Sequence, residues 1–541
     1  MDRLWTNEYG NIPAEISADG TVVDLLETTV ARFADKPAFQ GLHTNLTFGE
    51  TDHLSRDVAA WLQTECGLVK GDRVAVMMPN LLAHPVISFG IIRAGGVQVN
   101  VNPLYTPREL AHQLRDSGAE TIVIFNQVTP TLAAILDETG IKTIVTTGLF
   151  DLCDLQVPNP PVHELVAKRS VPLPQVLRAG KDMAFTAPQI TQDDLIFLQY
   201  TGGTTGLSKG AKLSHGNLMA NINAFETWVA DVTTPGEEVV ITALPLYHIF
   251  ALMVNFLSYF KMGAHNILIP NPRDMDAFVA EWKKWRVTCF TGVNTLYIGL
   301  LHTPAFAECD FSKLKVTFGG GSPTQRAVSD RWKALTGLHI TEGYGLSETA
   351  PIATANLLNA PEFTGTVGIP FPSTDMKVLD DTDQELGINE PGEICIKGPQ
   401  VMSDYWGKED EHDSFFTPDG YFRTGDIGTI DDRGYVRIVD RKKDMVLVSG
   451  FNVFPNEIED VLAGMDGLIE SACIGVPDDK TGEAVKVFCV RKDDSVSDAD
   501  VISFCRANLT AYKVPKQVAF VAELPKSTVG KILRRELRDA S

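Results

Sequence analysis

The sequence predicts an α/β fold: a large N-terminal domain of parallel-rich sheets flanked by helices, and a small α+β C-terminal domain. With 541 residues, the chain is too long for a single hydrophobic core. Its first half alternates strand-like and helix-like segments, which favours parallel sheets with helices on both faces. Past about residue 440, the charged run "DRKKD" precedes a module of short strands and helices. We therefore expect domains at 1–440 and 441–541.

The N-terminal alternation begins with the strand "DRVAVMMPN", the helix "LLAHPVISFGIIRAGG" and the short strand "VQVNVNP". Thr106 then caps a helix that has Pro107 at its first position, and Glu109 completes a capping box. Gly118 ends this helix, and "ETIVIF" is the next strand. The same succession recurs downstream, where the strand "LKVTF" leads through "GGGSP" to the helix "TQRAVSDRWKALTG".

Composition and charge exclude several classes of function. The net charge of −22 argues against nucleic-acid binding, which requires a basic face, although a local basic loop can still bind a nucleotide. The 8 cysteines form no CxxC pair, which argues against zinc and indicates reduced thiols in a cytosolic protein. The N-terminal segment has no apolar core or cleavage site, so we expect no secretory signal and a cytoplasmic location.

The segment 241–260, "ITALPLYHIFALMVNFLSYF", is uncharged over about the length of a membrane span. Pro245, His248 and Asn255 interrupt it, and no basic cluster flanks it. We expect a buried turn followed by a core helix that lines an apolar pocket.

The segment 200–210, "YTGGTTGLSKG", lies between the apolar run "LIFLQ" and the helix-like stretch "AKLSHGNLMANINAF". Its glycines, hydroxyls and Lys209 are suited to phosphate binding, although the spacing is not that of a Walker P-loop. A flexible surface loop is the alternative. The glycine turn 319–323 also offers backbone N–H groups to an anion, and a plain tight turn is its alternative.

Three further segments carry candidate polar residues. In "EGYGLSET", the Glu348 carboxylate could hold Mg²⁺ and Tyr344 could stack on a base, or the Ser-Glu pair could be a helix cap. Asp426, in a glycine turn, could bind ribose hydroxyls, and Arg441 could contact phosphate, with an Asx-turn or a surface ion pair as the alternatives. Lys531 follows Gly530 at a loop-to-helix junction. The three arginines after it are expected on a solvated face, and the apolar residues among them toward the core: Arg534, Arg535, Arg538, Ile532, Leu533 and Leu537.

Taken in order along the whole chain, these segments resemble the acyl-adenylate-forming (AMP-binding) enzyme superfamily. "AGGVQVNVNPLYTPRELAHQL", "FTGVNTLY", "RIVDRKKDMVLVSGFNVFPNEIED" and "LPKSTVGKILRREL" are most similar to bacterial long-chain fatty acid–CoA ligases. The family activates a carboxylic acid with MgATP to an acyl-AMP, and a thiol, usually coenzyme A, then displaces AMP. The motifs overlap with those of medium-chain and aryl-acid (4-coumarate-like) CoA ligases, so that alternative stays open.

The resemblance implies a nucleotide site built from the loop, the glycine turn and the small domain. Its expected ATP and AMP contacts are Thr201, Gly202, Gly203, Thr204, Thr205, Gly206, Lys209, Gly320, Gly321, Ser322, Glu342, Gly343, Tyr344, Gly345, Leu346, Ser347, Asp426, Ile438, Arg441 and Lys531. Thr204 and Glu348 are implied as the magnesium contacts. Lys531, Glu348 and Lys209 are implied as the catalytic residues, with Lys531 bridging the carboxylate and the α-phosphate.

The resemblance also implies two conformations. Lys443 aligns with the hinge about which the small domain rotates between half-reactions, which would bring Gly450 and Phe451 to the CoA tunnel. His248 and Gly320 are implied at the acyl pocket, where His248 acts as a gate rather than as a base. The implied partners are fatty acid, ATP and CoA, and no nucleic acid. Peripheral contact with the inner face of the membrane is compatible with a long-chain acid, and a homodimer stays open.

Overall fold

The computed structural model describes residues 3–155, 157–201, 208–358, 360, 362–478, 480–527 and 530–540. The strands of this part of the chain are β1 (Pro37–Gly41), β2 (Thr44–Thr47), β3 (Arg73–Met77), β4 (Val97–Asn100), β5 (Thr121–Phe125), β6 (Thr143–Thr147), β7 (Ser170–Pro172), β8 (Leu195–Thr201), β9 (Lys209–Ser214), β10 (Val239–Thr242), β11 (His265–Leu268), β12 (Cys289–Gly292), β13 (Val316–Gly319), β14 (Thr341–Gly345), β15 (Ile352–Ala355), β16 (Ile369–Pro370), β17 (Asp375–Leu379), β18 (Gly392–Lys397), β19 (Phe422–Ile430), β20 (Val436–Arg441), β21 (Val446–Val448), β22 (Phe451–Val453), β23 (Leu468–Asp478), β24 (Gly482–Arg491) and β25 (Gln517–Phe520).

Helices connect and cover these strands. They are α1 (Val22–Phe33), α2 (Phe48–Glu65), α3 (Ala83–Arg93), α4 (Pro107–Ser117), α5 (Thr129–Ala133), α6 (Glu164–Ala167), α7 (Leu173–Gly180), α8 (His215–Val229), α9 (Tyr259–Lys261), α10 (Met275–Trp282), α11 (Asn294–Leu301), α12 (Arg326–Thr336), α13 (His412–Phe415), α14 (Pro455–Ala463), α15 (Asp498–Asn508) and α16 (Arg534–Asp539).

Four sheets organise the strands. A nine-stranded sheet has the order β16-β15-β14-β13-β12-β10-β11-β1-β2, and its strands from β14 to β1 are parallel. A seven-stranded sheet, β7-β6-β5-β3-β4-β8-β9, is parallel except for the β8–β9 pair. An antiparallel sheet of β17 to β20 follows, and β21 to β25 form a separate sheet at the C-terminal end. The predicted mixed α/β fold with parallel-rich N-terminal sheets is confirmed.

The predicted start and end of helix α4 are confirmed at each residue. The Thr106 hydroxyl accepts a hydrogen bond from the backbone N–H of Glu109, and the Glu109 carboxylate accepts one from the N–H of Thr106. Gly118 adopts a left-handed conformation with φ of 63° and ends the helix. Such caps are local, so sequence spacing alone determines them.

The stretch after Lys209 differs from the prediction. Residues 211–214 are not helical: they belong to strand β9, which pairs with β8 in an antiparallel hairpin, and helix α8 begins only at His215. Ser214 is extended and caps α8, because its hydroxyl accepts a hydrogen bond from the N–H of Asn217. The expected strand–loop–helix unit is therefore a hairpin followed by a capped helix.

The apolar segment 241–260 forms a buried turn and a core helix, as predicted. An eight-residue π-helical stretch, Ala251–Ser258, occupies its middle, and all eight residues are buried. Asn255 is satisfied within this core, since its amide donates to the Thr242 hydroxyl and its carbonyl accepts from the Thr291 hydroxyl. Within the described residues, no helix has the length and apolarity needed to cross a membrane.

The C-terminal sheet has a hydrophobic cluster on each face. Helices α14 and α15 cover one face through Ile458, Leu462 and Val501, and α16 contacts the other through Leu537. The prediction that Arg534 lies on a solvated face is wrong, whereas Arg535 is exposed.

Arg534 instead lies at the centre of a group of acidic side chains. Its guanidinium lies 2.8 Å from the Glu459 carboxylate, 3.6 Å from that of Asp444 and 3.8 Å from that of Asp440, and the side chain is only 15% exposed. These carboxylates come from two parts of the sequence that lie far before Arg534, the "DRKKD" segment and helix α14, which is why helical spacing did not reveal the group. The arginine ties α16 to both the "DRKKD" segment and helix α14.

We expect Arg534→Leu to destabilise the C-terminal module by about 3–5 kcal/mol, because it leaves the buried Asp440 and Glu459 carboxylates without their cation, whereas Asp444 keeps its ion pair with Arg538. The matched control is Arg535→Leu, whose side chain is 63% exposed and lies 3.9 Å from Asp539. It should change the free energy of unfolding by no more than about 0.5 kcal/mol. Urea unfolding of both variants measures the difference, and equal stabilities would contradict the assignment.

Candidate active site

The glycine turn after β13 lies at the carboxyl end of the parallel strands, where ligands bind in open α/β sheets. Gly320 is tightly enclosed, since an added β-carbon would lie 3.3 Å from both the Phe250 ring and the Gly343 carbonyl oxygen. Gly321 has a φ of 78°, which disfavours other residues. The turn is therefore tight, and it also leaves its backbone open to close approach by a ligand.

A shielded hydroxyl group and a buried carboxyl group lie at this turn. The Ser322 hydroxyl has no hydrogen-bond partner among the described residues. Glu342 accepts a hydrogen bond from the Thr324 N–H at 2.9 Å, and burial raises its pKa to about 8. A buried hydroxyl without a partner is costly in a folded protein, and a bound polar ligand would satisfy it. These residues therefore fit a ligand with hydrogen-bonding groups.

The predicted ribose residues are linked to the Gly-Tyr-Gly segment. The Tyr344 hydroxyl donates a 2.6 Å hydrogen bond to the Asp426 carboxylate, which lies 3.6 Å from the Arg441 guanidinium. Asp426 does not lie in a turn as predicted: it lies within strand β19, opposite Arg441 on β20 and directly after Gly425, which has a φ of 71°. Strand pairing thus fixes the two charged residues together.

Glu348 is buried at the end of the same segment. Burial raises the pKa of its carboxyl group, and the Tyr405 hydroxyl donates to this group at 2.5 Å. Residues Ser347–Thr349 form a short 3₁₀ turn that holds Glu348 against the chain at Met402. A desolvated carboxylate of this kind favours a nearby cation, whose charge would lower its pKa again.

Lys531 extends from the C-terminal module into this group of residues. Its Cε would lie 3.4 Å from a β-carbon added to Gly321, so the lysine side chain passes directly over the glycine turn. Burial lowers the pKa of its amine to about 8, and Arg441 acts in the same direction, while Asp426 and Glu348 oppose it. The structure therefore brings together four of the predicted charged residues, which lie up to 183 positions apart in the sequence (531 − 348). They are Glu348, Asp426, Arg441 and Lys531.

His248 borders the lysine. Burial lowers the pKa of its imidazole to about 3, with a further contribution from the Lys531 charge. The ring is thus neutral at physiological pH, and its Nδ1 accepts a hydrogen bond from the N–H of Phe250. A neutral histidine with so low a pKa is a poor general base, in keeping with the predicted role in the pocket wall.

The remaining wall residues lie in strand β14, directly after it and, for Ile438, in β20. Gly343 packs against the Phe318 ring, and an added β-carbon at Gly345 would lie 1.7 Å from the Pro351 carbonyl oxygen. Leu346 and Ile438 pack with Tyr344 against one small hydrophobic cluster. This cluster supports the segment from behind, so the Tyr344 ring is held in place on one side.

The predicted phosphate loop is only partly described. Thr201 ends β8 and pairs in register with Lys209, which starts β9, so the loop is the connection of this hairpin. The Lys209 ammonium lies over the Phe415 ring at 4.4 Å and 5.3 Å from the centre of the Tyr405 ring. The other predicted loop residues lie outside the described part of the chain: Gly202, Gly203, Thr204, Thr205 and Gly206.

The predicted hinge and CoA-side residues lie at the start of the C-terminal module. Lys443 is the second residue after β20, and burial and Arg441 lower the pKa of its amine. Gly450, with a φ of 83°, turns the β21–β22 hairpin, and the Phe451 ring is 55% exposed and stacks on Tyr512 at 4.8 Å. In this conformation the residue that reaches the glycine turn is Lys531.

Sequence reasoning missed Tyr405 and Phe415. Tyr405 orients Glu348 from 57 positions away, and both rings face Lys209. They belong to the segment "MSDYWGKEDEHDSFF", which has few regular elements and no periodic pattern. Its concentration of aromatic and acidic residues was the one available signal.

The fold is that of a two-domain protein of the mixed α/β class, and sequence comparison identifies the family. Residues 26–406 match the AMP-binding enzyme family, and residues 457–531 match the AMP-binding enzyme C-terminal domain. The chain belongs to the AMP-binding enzyme family.

Full-length relatives extend this result. The chain is 49% identical to the long-chain-fatty-acid–CoA ligase of Escherichia coli O6:H1, covering 100% of this chain and 98% of the relative. It is 33% identical to feruloyl-CoA synthase of Amycolatopsis sp, covering 92% and 94%. The crystal structure of ATP-bound MatB from Rhodopseudomonas palustris is similar with a TM-score of 0.82 and 31% identity, covering 96% of this chain and 98% of that one.

We expect Tyr344→Phe to weaken ATP binding about fivefold, because it removes the donor that orients the Asp426 carboxylate. Isothermal titration of ATP into the full-length protein measures this change. Tyr435→Phe is the matched control, since that ring lies 5.0 Å from the Arg433 guanidinium instead. Unchanged affinity in the Tyr344 variant would remove this hydrogen bond from nucleotide binding.

Proposed function

We propose that this protein is an AMP-forming acid–thiol ligase that converts a long-chain fatty acid, ATP and coenzyme A into acyl-CoA, AMP and pyrophosphate. In the first half-reaction, a carboxylate oxygen bonds to the α-phosphorus and the bond to the pyrophosphate oxygen breaks. In the second, the CoA thiolate attacks the acyl carbon and AMP leaves. The observation that carries this proposal is the convergence of Lys531, Glu348, Asp426 and Arg441 over the Gly320–Ser322 turn, supported by relatives of the same length.

Lys531 is the residue that we assign to the first half-reaction. Its ammonium would bridge the acid and the α-phosphate and offset the charge that develops on the phosphoryl oxygens. Asp426 and Arg441 would position the ribose, and the Gly-Tyr-Gly segment with Ile438 would line the base. Lys209 and the loop from Thr201 would hold the β- and γ-phosphates so that they can depart.

The residues present fit a magnesium ion. Mg²⁺ in phosphate sites usually takes one or two carboxylates, and Glu348 is a buried carboxylate that Tyr405 already orients. We propose Glu348 and Thr204 as its protein contacts. When bound, the ion would neutralise charge on the phosphate oxygens.

We propose that residues 1–440 form the adenylation domain and residues 441–541 a mobile domain that carries Lys531. Rotation about Lys443 would withdraw the lysine after adenylation and bring Gly450 and Phe451 toward the CoA. Phe451 is suited to such a role because its ring is exposed here, although large apolar side chains are usually buried.

The acyl chain would lie behind His248 and Gly320, along the π-helical segment. Burial of a hydrocarbon chain there would contribute about 0.8 kcal/mol per methylene group. Long-chain acids partition into bilayers, so a transient peripheral contact with the membrane fits this substrate. A medium-chain or aryl acid is the second candidate, favoured by the 33% identity to feruloyl-CoA synthase.

A panel of acids tests the substrate class. We expect pyrophosphate release with long alkanoates to exceed release with medium-chain and cinnamate-like acids, since each buried methylene adds to binding. In the same assay, Lys531→Ala should lose adenylation by a factor of about 100 or more, yet still form thioester from supplied acyl-AMP and CoA. A preference for cinnamate-like acids would establish the second candidate, and undiminished adenylation in the variant would exclude Lys531.

The pH dependence of adenylation gives an independent test. Lys531 acts as the protonated ammonium, so kcat/KM for ATP should be high at lower pH and fall as the pH rises through about 8. The arginine of Lys531→Arg keeps its charge at higher pH, so this variant should lack the alkaline decline, whatever its absolute rate of adenylation. Glu342 has a pKa in the same range. If the alkaline decline persists in Lys531→Arg, it is due to Glu342 and not to Lys531.

A further inference from the structure

We propose that Thr295 is a positioning residue for Lys531: its hydroxyl holds the Gly530 carbonyl and so docks the lysine-bearing loop on the N-terminal domain. The Thr295 hydroxyl donates a 3.1 Å hydrogen bond to the Gly530 carbonyl oxygen. The two residues are 235 positions apart, and they join helix α11 to the C-terminal module. The docking contact does not depend on the proposed function, whereas its effect on adenylation rests on the function proposed above.

The contact with Thr295 requires a glycine at position 530. A β-carbon at this position would lie 2.4 Å from the Thr295 hydroxyl oxygen and 3.0 Å from a Val293 methyl group. Its φ of 79° also disfavours any other residue. The close approach of this backbone to α11 therefore depends on the absence of a side chain, and it places the next residue, Lys531, over the glycine turn.

The described residues of the lysine-bearing loop also form hydrogen bonds with one another. The Gly530 N–H donates to the Ser527 carbonyl, and the Lys531 N–H donates to the Ser527 hydroxyl. The Leu533 N–H donates to the Pro525 carbonyl. These bonds stay within the loop, whereas the Thr295 bond crosses to the other domain.

Thr295 lies on a helix that is hydrogen-bonded to the segment before α12. It is the second residue of α11, and its neighbour Asn294 exchanges two hydrogen bonds of 3.2 Å with Gln325, the residue before α12. Helix α12 follows the glycine turn, so these hydrogen bonds connect the docking point on α11 to the segment that carries the turn. The place where Gly530 docks is thereby linked to the turn that Lys531 covers.

Docking is tested by hydrogen–deuterium exchange of the full-length protein without ligands. In Thr295→Val, which keeps the shape of the side chain but removes the donor, peptides covering residues 530–533 should exchange faster. Thr295→Ser keeps the hydroxyl and should retain the exchange rate of the unsubstituted protein. Thr303→Val is the matched control, because that hydroxyl donates within its own segment to the Gly299 carbonyl at 2.9 Å. Unchanged exchange in Thr295→Val would overturn the proposal.

The two half-reactions test the consequence for catalysis. Thr295→Val should lower acid-dependent pyrophosphate exchange into ATP about fivefold, as expected for one hydrogen bond, and leave thioester formation from acyl-AMP unchanged. Thr295→Ser should restore the exchange. An equal loss in both half-reactions would indicate a general structural role and overturn the positioning role. If the unsubstituted protein adenylates no acid while its loop still loosens in Thr295→Val, the docking stands and the proposed function falls.

Discussion

The candidate site depends on placing a lysine ammonium from one domain in a buried position within the other. Burial disfavours the charged amine, and the pKa of Lys531 falls to about 8 even though Asp426 and Glu348 lie close enough to support it. Arg441 adds a second positive charge that lowers the pKa of the amine further. A bound anionic ligand would act in the opposite direction and favour the charged amine.

The C-terminal module is built to present this lysine. Three residues after Lys531, Arg534 enters the group of carboxylates formed by Asp440, Asp444 and Glu459. Since Asp440 lies in β20 and Asp444 follows it closely, the arginine fixes α16 against the connection between the expected domains. The lysine loop is thus anchored at its base by an ion network and at its tip by a glycine backbone contact.

Local features of the sequence predicted local structure well, as the capped helix at Thr106 and the buried segment 241–260 show. Prediction was wrong where tertiary pairing decides: residues 211–214 are a strand because β8 lies alongside, and Arg534 is enclosed because three distant carboxylates converge on it. Family resemblance named the charged residues of the site, but not Tyr405 or Thr295. Their partners lie 57 and 235 positions away, and no spacing rule connects residues over such distances.

The same electrostatics gives a direction to the proposed domain rotation. While ATP is bound, its phosphates would offset the desolvated ammonium of Lys531 and favour the docked loop. Pyrophosphate carries most of that negative charge away, and the remaining acyl-AMP offers far less. The cost of keeping Lys531 buried then rises, while the docking contact at Gly530 is of the size of one hydrogen bond. Departure of the product would therefore loosen the lysine loop at the moment when CoA needs access.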